Sequence, residues 1–159
     1  GYTPRILDAV EAVNYDQKSV ISRKVFNRFG KDLKGKTFAV WGLAFKPETD
    51  DMREASSITI INELTAQGAK IVAYDPKARH EAESYYLKDN KDVSYVDSKY
   101  EALKDADAII LVTEWQEFRS PDFDEMQKLL KANIFFDGRN QFDKERMAEL
   151  GFEYFQIGV

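Results

Sequence analysis

From Lys36 onward, short apolar runs alternate with segments of helical pattern, and this alternation restricts the possible folds more than any other feature. Several runs are continuously apolar, which is typical of strands buried on both faces of a parallel sheet. The pattern therefore predicts an α/β fold, a doubly wound, mostly parallel, Rossmann-like sheet with helices on both faces. The six runs are TFAVWGLAF (37–45), KIVAYDP (70–76), VSYVD (93–97), DAIILVTEW (107–115), NIFFDGR (133–139) and FEYFQIG (152–158).

Local signals indicate where the intervening helices begin and end. The segment SSITIINELTAQGA (56–69) predicts a helix with a serine cap that ends at Gly68. A short helix is expected to begin near Ser98, and another to be capped by Asp143 and to end at Gly151. The segment 77–89 is also predicted to be helical.

The first thirty residues predict one long amino-terminal helix. Thr3 suits the N-cap position, Pro4 suits the first turn, and apolar residues keep helical spacing until Gly30. Such a helix of about 26 residues would be roughly 39 Å long, more than a small domain needs to cover its sheet. It either packs along the edge of the domain or connects it to another domain, and the pattern alone leaves both open.

Composition excludes several classes of function. The chain has 159 residues, which suits one domain with a short extension. A net charge of −5 argues against nucleic acid or an anionic membrane as a partner. The absence of cysteine excludes disulfides, thiolate zinc sites and a cysteine nucleophile within these residues, and the one histidine, His80, is expected at the surface.

The ends of the chain suggest how it is produced and located. Neither a signal peptide nor an apolar run of about 18 residues is found, so a soluble, cytoplasmic protein is expected. A chain that starts at Gly1 without methionine is expected to be a fragment or to carry a tag remnant.

Ligands of doubly wound folds bind beyond the carboxyl ends of the strands, so the loops there carry the functional prediction. In the first, Gly42 is followed by Leu43, Ala44 and Phe45 rather than by the glycines that admit a dinucleotide pyrophosphate, so a standard NAD site is not expected. Asp75 follows Gly42 by 33 positions, against about 20 for a ribose-binding acid. It is interpreted as a turn and helix-entry residue, with a ligand contact as the alternative.

The same loop carries two long cations, Lys46 and Arg53, which suit phosphate or carboxylate. The alternative is that they only pair with the neighbouring Asp50 and Asp51. A catalytic or metal-binding role for the two aspartates is poorly supported, because adjacent side chains point apart and no third oxygen ligand is evident.

Two further loops offer candidates. In FFDGRN, a strand ends at Asp137 and Gly138 and presents Arg139 at the sheet edge, where it either reaches an anion or is solvated. After another strand, Trp115 and Phe118 either stack on a base or complete the core.

Taken together, GLAFKPETDDMREASS, GAKIVAYDP, DADAIILVTEWQEF and FFDGRN resemble the carboxyl-terminal portion of the UDP-glucose 6-dehydrogenases, within the UDP-glucose/GDP-mannose dehydrogenase family. The resemblance covers essentially the whole chain. AVEAVNYDQ also resembles the end of that family's central helical connector. Residues 1–30 are therefore expected to be the end of this connector, and residues 31–159 a Rossmann-like domain that binds a UDP-sugar.

The resemblance implies a function and a set of site residues. Full-length members oxidise UDP-glucose to UDP-glucuronate with two NAD⁺ through a cysteine thiohemiacetal and thioester. Phe45, Lys46 and Arg139 match residues that contact the UDP-sugar, and Arg53 matches one that reaches NAD held mainly by the missing amino-terminal domain. No catalytic residue and no metal are expected in this chain, which should be inactive alone.

The implied partners are UDP or UDP-glucose, the missing amino-terminal and central domains, and a second copy in a homodimeric parent. Three alternatives accompany this interpretation. One is another nucleotide-sugar dehydrogenase, acting on UDP-N-acetylmannosamine or GDP-mannose. Another is an interaction module that self-associates through its first helix. The third is a receiver-like signalling domain, which the absence of a lysine in DGRN disfavours.

Overall fold

The computed structural model describes residues 5–158, and its centre is a single sheet of six parallel strands. The strand order is β3-β2-β1-β4-β5-β6, and every neighbouring pair is parallel. The prediction of a doubly wound, Rossmann-like parallel sheet is therefore confirmed. The strands are β1 Thr37–Trp41, β2 Lys70–Tyr74, β3 Val93–Tyr95, β4 Ala108–Leu111, β5 Ile134–Asp137 and β6 Glu153–Gln156.

Helices cover the sheet, and the central strands are buried beneath them. All residues of β4 and β5 are buried, as are four of the five residues of β1. The continuous apolar runs predicted this burial, because a strand covered on both faces has no polar side. The helices are α1 Arg5–Lys18, α2 Val20–Phe29, α3 Ser56–Ala66, α4 Arg79–Glu81, α5 Lys99–Leu103, α6 Phe123–Leu129 and α7 Lys144–Glu149.

The prediction of one long amino-terminal helix is wrong in one respect, because the helix is interrupted at Ser19 and forms two helices, α1 and α2. The Ser19 amide donates to the Asp16 carbonyl three residues back, and its hydroxyl donates to Glu63 of α3 at 2.7 Å. Beyond the break, α2 buries Ile21 and Val25, whereas α1 has no buried residue. The predicted start of the helix at Thr3 and Pro4 lies outside the described residues.

Several helices differ from their prediction in length or in capping. The segment predicted to be helical at 77–89 forms the short α4 and then a π-helical turn, Ala82–Tyr86. The cap of α3 is Ala55, without a side-chain hydrogen bond, rather than a serine. By contrast, Ser98 and Asp143 cap α5 and α7 through their side chains, as predicted. Within residues 5–158 no helix is both long and apolar enough to cross a membrane.

The order of the strands determines where a ligand site can form. The chain runs outward from β1 through β2 to β3, and then returns to the other side of β1 to form β4, β5 and β6. The order therefore reverses between β1 and β4. The carboxyl ends of these strands border the crevice in which doubly wound folds bind ligands.

Candidate functional site

A crevice of about 490 Å³ opens at the carboxyl edge of the sheet, between α1 and the segments that follow β1, β5 and β6. We call this cavity the crevice. Four parts of the chain form it: the end of α1, the loop 42–55 with the first residue of α3, the turn that follows β5, and the segment that follows β6. Its lining residues are Asn14, Gln17, Lys18, Phe45, Glu54, Ser56, Gly138, Arg139 and Ile157.

The loop 42–55, which we call the charged loop, has a defined conformation. The Phe45 amide donates to the Asp51 carbonyl at 2.8 Å, which closes the loop on itself. Met52 and Ala55 are buried and anchor it to the core. Glu48 and Glu54 have φ angles of 66° and 59°, a left-handed conformation that costs energy for residues other than glycine. Lys18 of α1 forms an ion pair with Glu54, so the helix and the loop are joined at the crevice.

Arg139 joins the turn after β5 to the charged loop and to the segment that follows β4. Its Nε donates to the Val112 carbonyl after β4 at 2.7 Å, and its Nη2 lies 3.3 Å from the carbonyl of Phe45 in the charged loop. Its Nε also lies 3.0 Å from Glu114 Oε2. These contacts hold the guanidinium at the crevice, where the side chain remains 35% exposed to solvent.

Phe45 and Lys46 lie beside Arg139. Because Arg139 reaches the carbonyl of Phe45, Lys46 is the next residue along the chain from that contact. Both side chains are exposed, and within the described part of the chain no carboxylate forms an ion pair with Lys46. The structure thus brings together Phe45 and Arg139, two of the four predicted site residues, at the crevice. Lys46 is adjacent to Phe45 in the chain but does not line the crevice, and its charge contributes to lowering the pKa of Asp51.

Arg53 lies in a different place. It borders a second cavity of about 460 Å³, lined by Thr49–Arg53 together with Glu81 and Tyr86. Its Nε and Nη2 donate to the Asp51 carboxylate at 2.8–3.2 Å, and this hydrogen bonding lowers the pKa of Asp51 to about 2. The expected pairing is therefore present, but the Arg53 side chain remains 80% exposed.

Sequence reasoning missed the buried carboxylate that shapes the turn carrying Arg139. Asp137, fully buried at the end of β5, accepts the Arg139 amide at 2.8 Å and the Gln141 amide at 2.7 Å. The Tyr154 hydroxyl also donates to it, and burial together with this bond raises the pKa of Tyr154. An acidic residue at the end of a wholly apolar strand is the signal that could have revealed this role.

The other candidates take structural positions. Trp115 and Phe118 are buried, and the Phe118 ring stacks on Trp41 at a centroid distance of 4.9 Å, so both complete the core rather than offer a face to a base. Asp50 and His80 are exposed. Among residues 5–158, no cluster of three or more histidine or acidic side chains has the arrangement of a metal site.

Comparison with known proteins places this geometry in context. Residues 39–144 match the family described as the UDP-glucose/GDP-mannose dehydrogenase family, UDP binding domain. The chain is 42% identical over 160 residues to the UDP-glucose 6-dehydrogenase of Pseudomonas aeruginosa, an alignment that covers 99% of the chain. It spans only about a third of the length of the curated relatives it matches.

Solved structures give the same picture. The UDP-glucose dehydrogenase of Pyrobaculum islandicum superposes with a TM-score of 0.75 and 27% identity, over 94% of this chain and 31% of that one. The NDP-N-acetyl-D-galactosaminuronic acid dehydrogenase of Methanosarcina mazei superposes with a TM-score of 0.78 and 25% identity, over 99% of this chain and 32% of that one.

Proposed function

The chain belongs to the UDP-glucose/GDP-mannose dehydrogenase family, and from this premise we propose that it is the UDP-sugar-binding domain of an enzyme that oxidises UDP-glucose to UDP-glucuronate. One observation carries the proposal. Arg139 and the exposed ring of Phe45 line one crevice although they come from separate loops, and Lys46 directly follows Phe45 in the chain.

These three side chains match the chemistry of a nucleotide sugar. A diphosphate needs cationic donors, and the planar guanidinium of Arg139 with the mobile ammonium of Lys46 supplies both kinds. Phe45, whose side chain is 50% exposed at the rim, offers an apolar contact for the base or the sugar ring. The Val112 and Phe45 carbonyls hold the guanidinium in place before a ligand arrives, which lowers the entropy cost of binding.

The domain contributes to the reaction by positioning. Holding the UDP portion, which does not react, fixes the sugar carbon that is oxidised and so lowers the barrier to hydride transfer. The chain has no cysteine to form a thioester, so it does not supply a thiolate nucleophile. When bound, NAD⁺ would accept the hydride, and the exposed guanidinium of Arg53 would contact it from this domain. The isolated chain is expected to be inactive.

The remaining partners follow from the same proposal. We expect residues 1–30 to belong to a connector between this domain and the rest of the enzyme, and residues 31–159 to belong to the nucleotide-sugar domain. The connector also takes part in a homodimer of the whole enzyme, and the enzyme is cytoplasmic. The exposed apolar residues of α1, which include Ile6, Leu7, Val10 and Val13, support a partner for this helix.

The test is calorimetric titration of the chain with UDP. We expect saturable binding that weakens about tenfold to a hundredfold in Lys46→Ala and in Arg139→Ala, because each removes one charge-assisted contact. Lys131→Ala, which removes one positive charge at the opposite edge of the sheet, is the matched control and should bind as the wild type does. Equal binding by all four proteins would refute the site.

Competition distinguishes the related activities. UDP-glucose should displace UDP, whereas preferential displacement by GDP-mannose or UDP-N-acetylmannosamine would assign a different nucleotide sugar. Sedimentation over a range of concentrations tests the alternative of an interaction module. That alternative requires the chain to self-associate, to stop doing so when residues 1–15 are deleted, and not to bind UDP.

A further inference from the structure

Asp75, the residue directly after β2, is a buried acid whose carboxylate accepts an unusually large number of hydrogen bonds. Only 5% of it is exposed. Its Oδ2 accepts the amides of Leu43 at 2.7 Å and Ala44 at 3.0 Å and the indole N–H of Trp115 at 3.1 Å, and its Oδ1 accepts the amides of Lys77 at 2.9 Å and Ala78 at 2.8 Å. Five donors thus satisfy a group with about four lone-pair sites.

Asp75 and its amide partners Leu43 and Ala44 occupy the positions that bind a dinucleotide in related folds. In a dinucleotide-binding sheet of this topology, amides of the turn after the first strand bind the pyrophosphate, and an acid after the second strand binds the ribose hydroxyls. Here Leu43 and Ala44 occupy the turn after β1, and Asp75 follows β2. The two groups that would recognise a dinucleotide are bonded to each other.

The turn cannot readily open to exchange this partner. The Leu43 carbonyl accepts the Ser57 hydroxyl at 2.6 Å, and the Ala44 carbonyl accepts the Thr113 hydroxyl at the same distance. Leu43 and Ala44 are themselves buried. A phosphate would have to displace a carboxylate from a turn that is fixed on both its amide and its carbonyl side.

We infer that Asp75 is a specificity-determining residue, because its carboxylate fills the anion position of the β1 turn and closes this edge of the sheet to dinucleotides. A nucleotide is then left with the crevice beside the ends of β5 and β6, which Arg139 lines. The residues at the usual dinucleotide position of the fold do not fit NAD, so any contact with that cofactor is made elsewhere on the surface. This inference does not depend on UDP being the ligand of the crevice.

The main test is chemical rescue of Asp75→Ala. Removing the carboxylate leaves converging N–H donors without an acceptor, and the melting temperature should fall by about 6–12 °C. Formate restores a carboxylate of similar shape, so sodium formate should recover a substantial part of this loss compared with sodium chloride at equal ionic strength. The wild type should respond equally to the two salts.

Two variants make the rescue specific. Asp75→Asn keeps the volume but turns an amide group toward N–H donors, so it should be destabilised and formate should not rescue it, because no space is free. Leu64→Ala opens a cavity at a fully buried apolar position and should be equally insensitive to formate. Rescue of Asp75→Ala no greater than that of Leu64→Ala would overturn the inference.

Two measurements remain decisive if Asp75→Ala does not fold in ordinary buffer. Its refolding yield on dilution from urea should be higher in formate than in chloride, and equal yields would overturn the inference. Calorimetric titration of the wild type with ADP-ribose should give no saturable binding. Saturable binding would show that the dinucleotide position is open and would overturn the inference, whatever the result with UDP.

Discussion

Gly42 shows how a single residue determines the conformation of the turn that follows β1. Its φ angle is +93°, and a Cβ atom added there would lie 2.5 Å from the Cβ of Thr113 and 2.6 Å from its amide nitrogen. In a dinucleotide fold, glycine at this turn lets the backbone approach the pyrophosphate. Here it lets the turn approach Thr113 in the segment after β4, so glycine at this position serves the packing of the domain.

We predict that Gly42→Ala lowers the free energy of unfolding by about 3 kcal/mol or more, because a left-handed conformation and an overlap with backbone atoms are combined. Urea denaturation measures this. Gly30→Ala is the matched control, since Gly30 has a φ of +87° but no atom within 4 Å of an added Cβ. It should cost only about 1–2 kcal/mol. Equal losses would show that the contact with Thr113 does not constrain the turn.

Backbone strain is concentrated at the candidate site. Four residues other than glycine have positive φ in the described part of the chain, and three of them, Glu48, Glu54 and Asn140, lie in the charged loop or next to Arg139. Such conformations cost about 1–3 kcal/mol each and persist where surrounding contacts impose them. Their positions agree with a loop and a turn held in place for a ligand.

At the scale of elements, the two amino-terminal helices differ in what they contribute to stability. In α2, Ile21 and Val25 are buried against the domain, and Phe26 and Phe29 pack on its core. In α1 no residue is buried. The break at Ser19 therefore separates a helix that belongs to the core from one that does not.

We predict that deleting residues 1–15 changes the free energy of unfolding by less than about 1 kcal/mol, because the described part of this segment, residues 5–15, has no buried side chain. Deleting residues 1–30 should cost at least about 4 kcal/mol, since two fully buried aliphatic side chains are removed. Urea denaturation of the three proteins makes the comparison. A large loss from the shorter deletion would mean that α1 supports the fold directly.

At the scale of the whole molecule, partly buried tyrosines make stability decrease at alkaline pH. Burial is the main cause that raises the pKa of Tyr74 and of Tyr95 from 10.0 to about 12. The pKa of Tyr154 is raised as well. Because the folded state keeps these groups neutral, their contribution is complete below pH 10 and is lost as the pH rises from 10 toward 12.

We predict that the urea midpoint of the wild type falls between pH 10 and pH 12, and that Tyr95→Phe reduces this fall. The Tyr95 hydroxyl is buried without a hydrogen-bond partner among the described residues, so its removal should be neutral or slightly stabilising at pH 8. The same two proteins at pH 8 therefore serve as the control. An identical alkaline fall in both would exclude Tyr95 as a contributor.

Local chemistry allowed much of this protein to be predicted from its sequence. The alternation of apolar runs with helical segments predicted the parallel sheet, because strand and helix periodicities are properties of neighbouring residues. Ser98 and Asp143 were found as caps because each acts on an amide only three residues ahead. Lys46 and Arg139 could be expected at one edge because parallel strands bring their carboxyl ends together.

Only the tertiary structure decided which distant groups meet. The partners of Asp75 include Leu43 and Trp115, which are 32 and 40 residues away, and the break at Ser19 involves Glu63, which is 44 residues away. Likewise, Trp115 and Phe118 became core residues only when β4 was placed beside β1. A carboxylate in a sequence shows that it can accept hydrogen bonds, but the arrangement of the strands determines which donors reach it, and that arrangement depends on the packing of the entire chain.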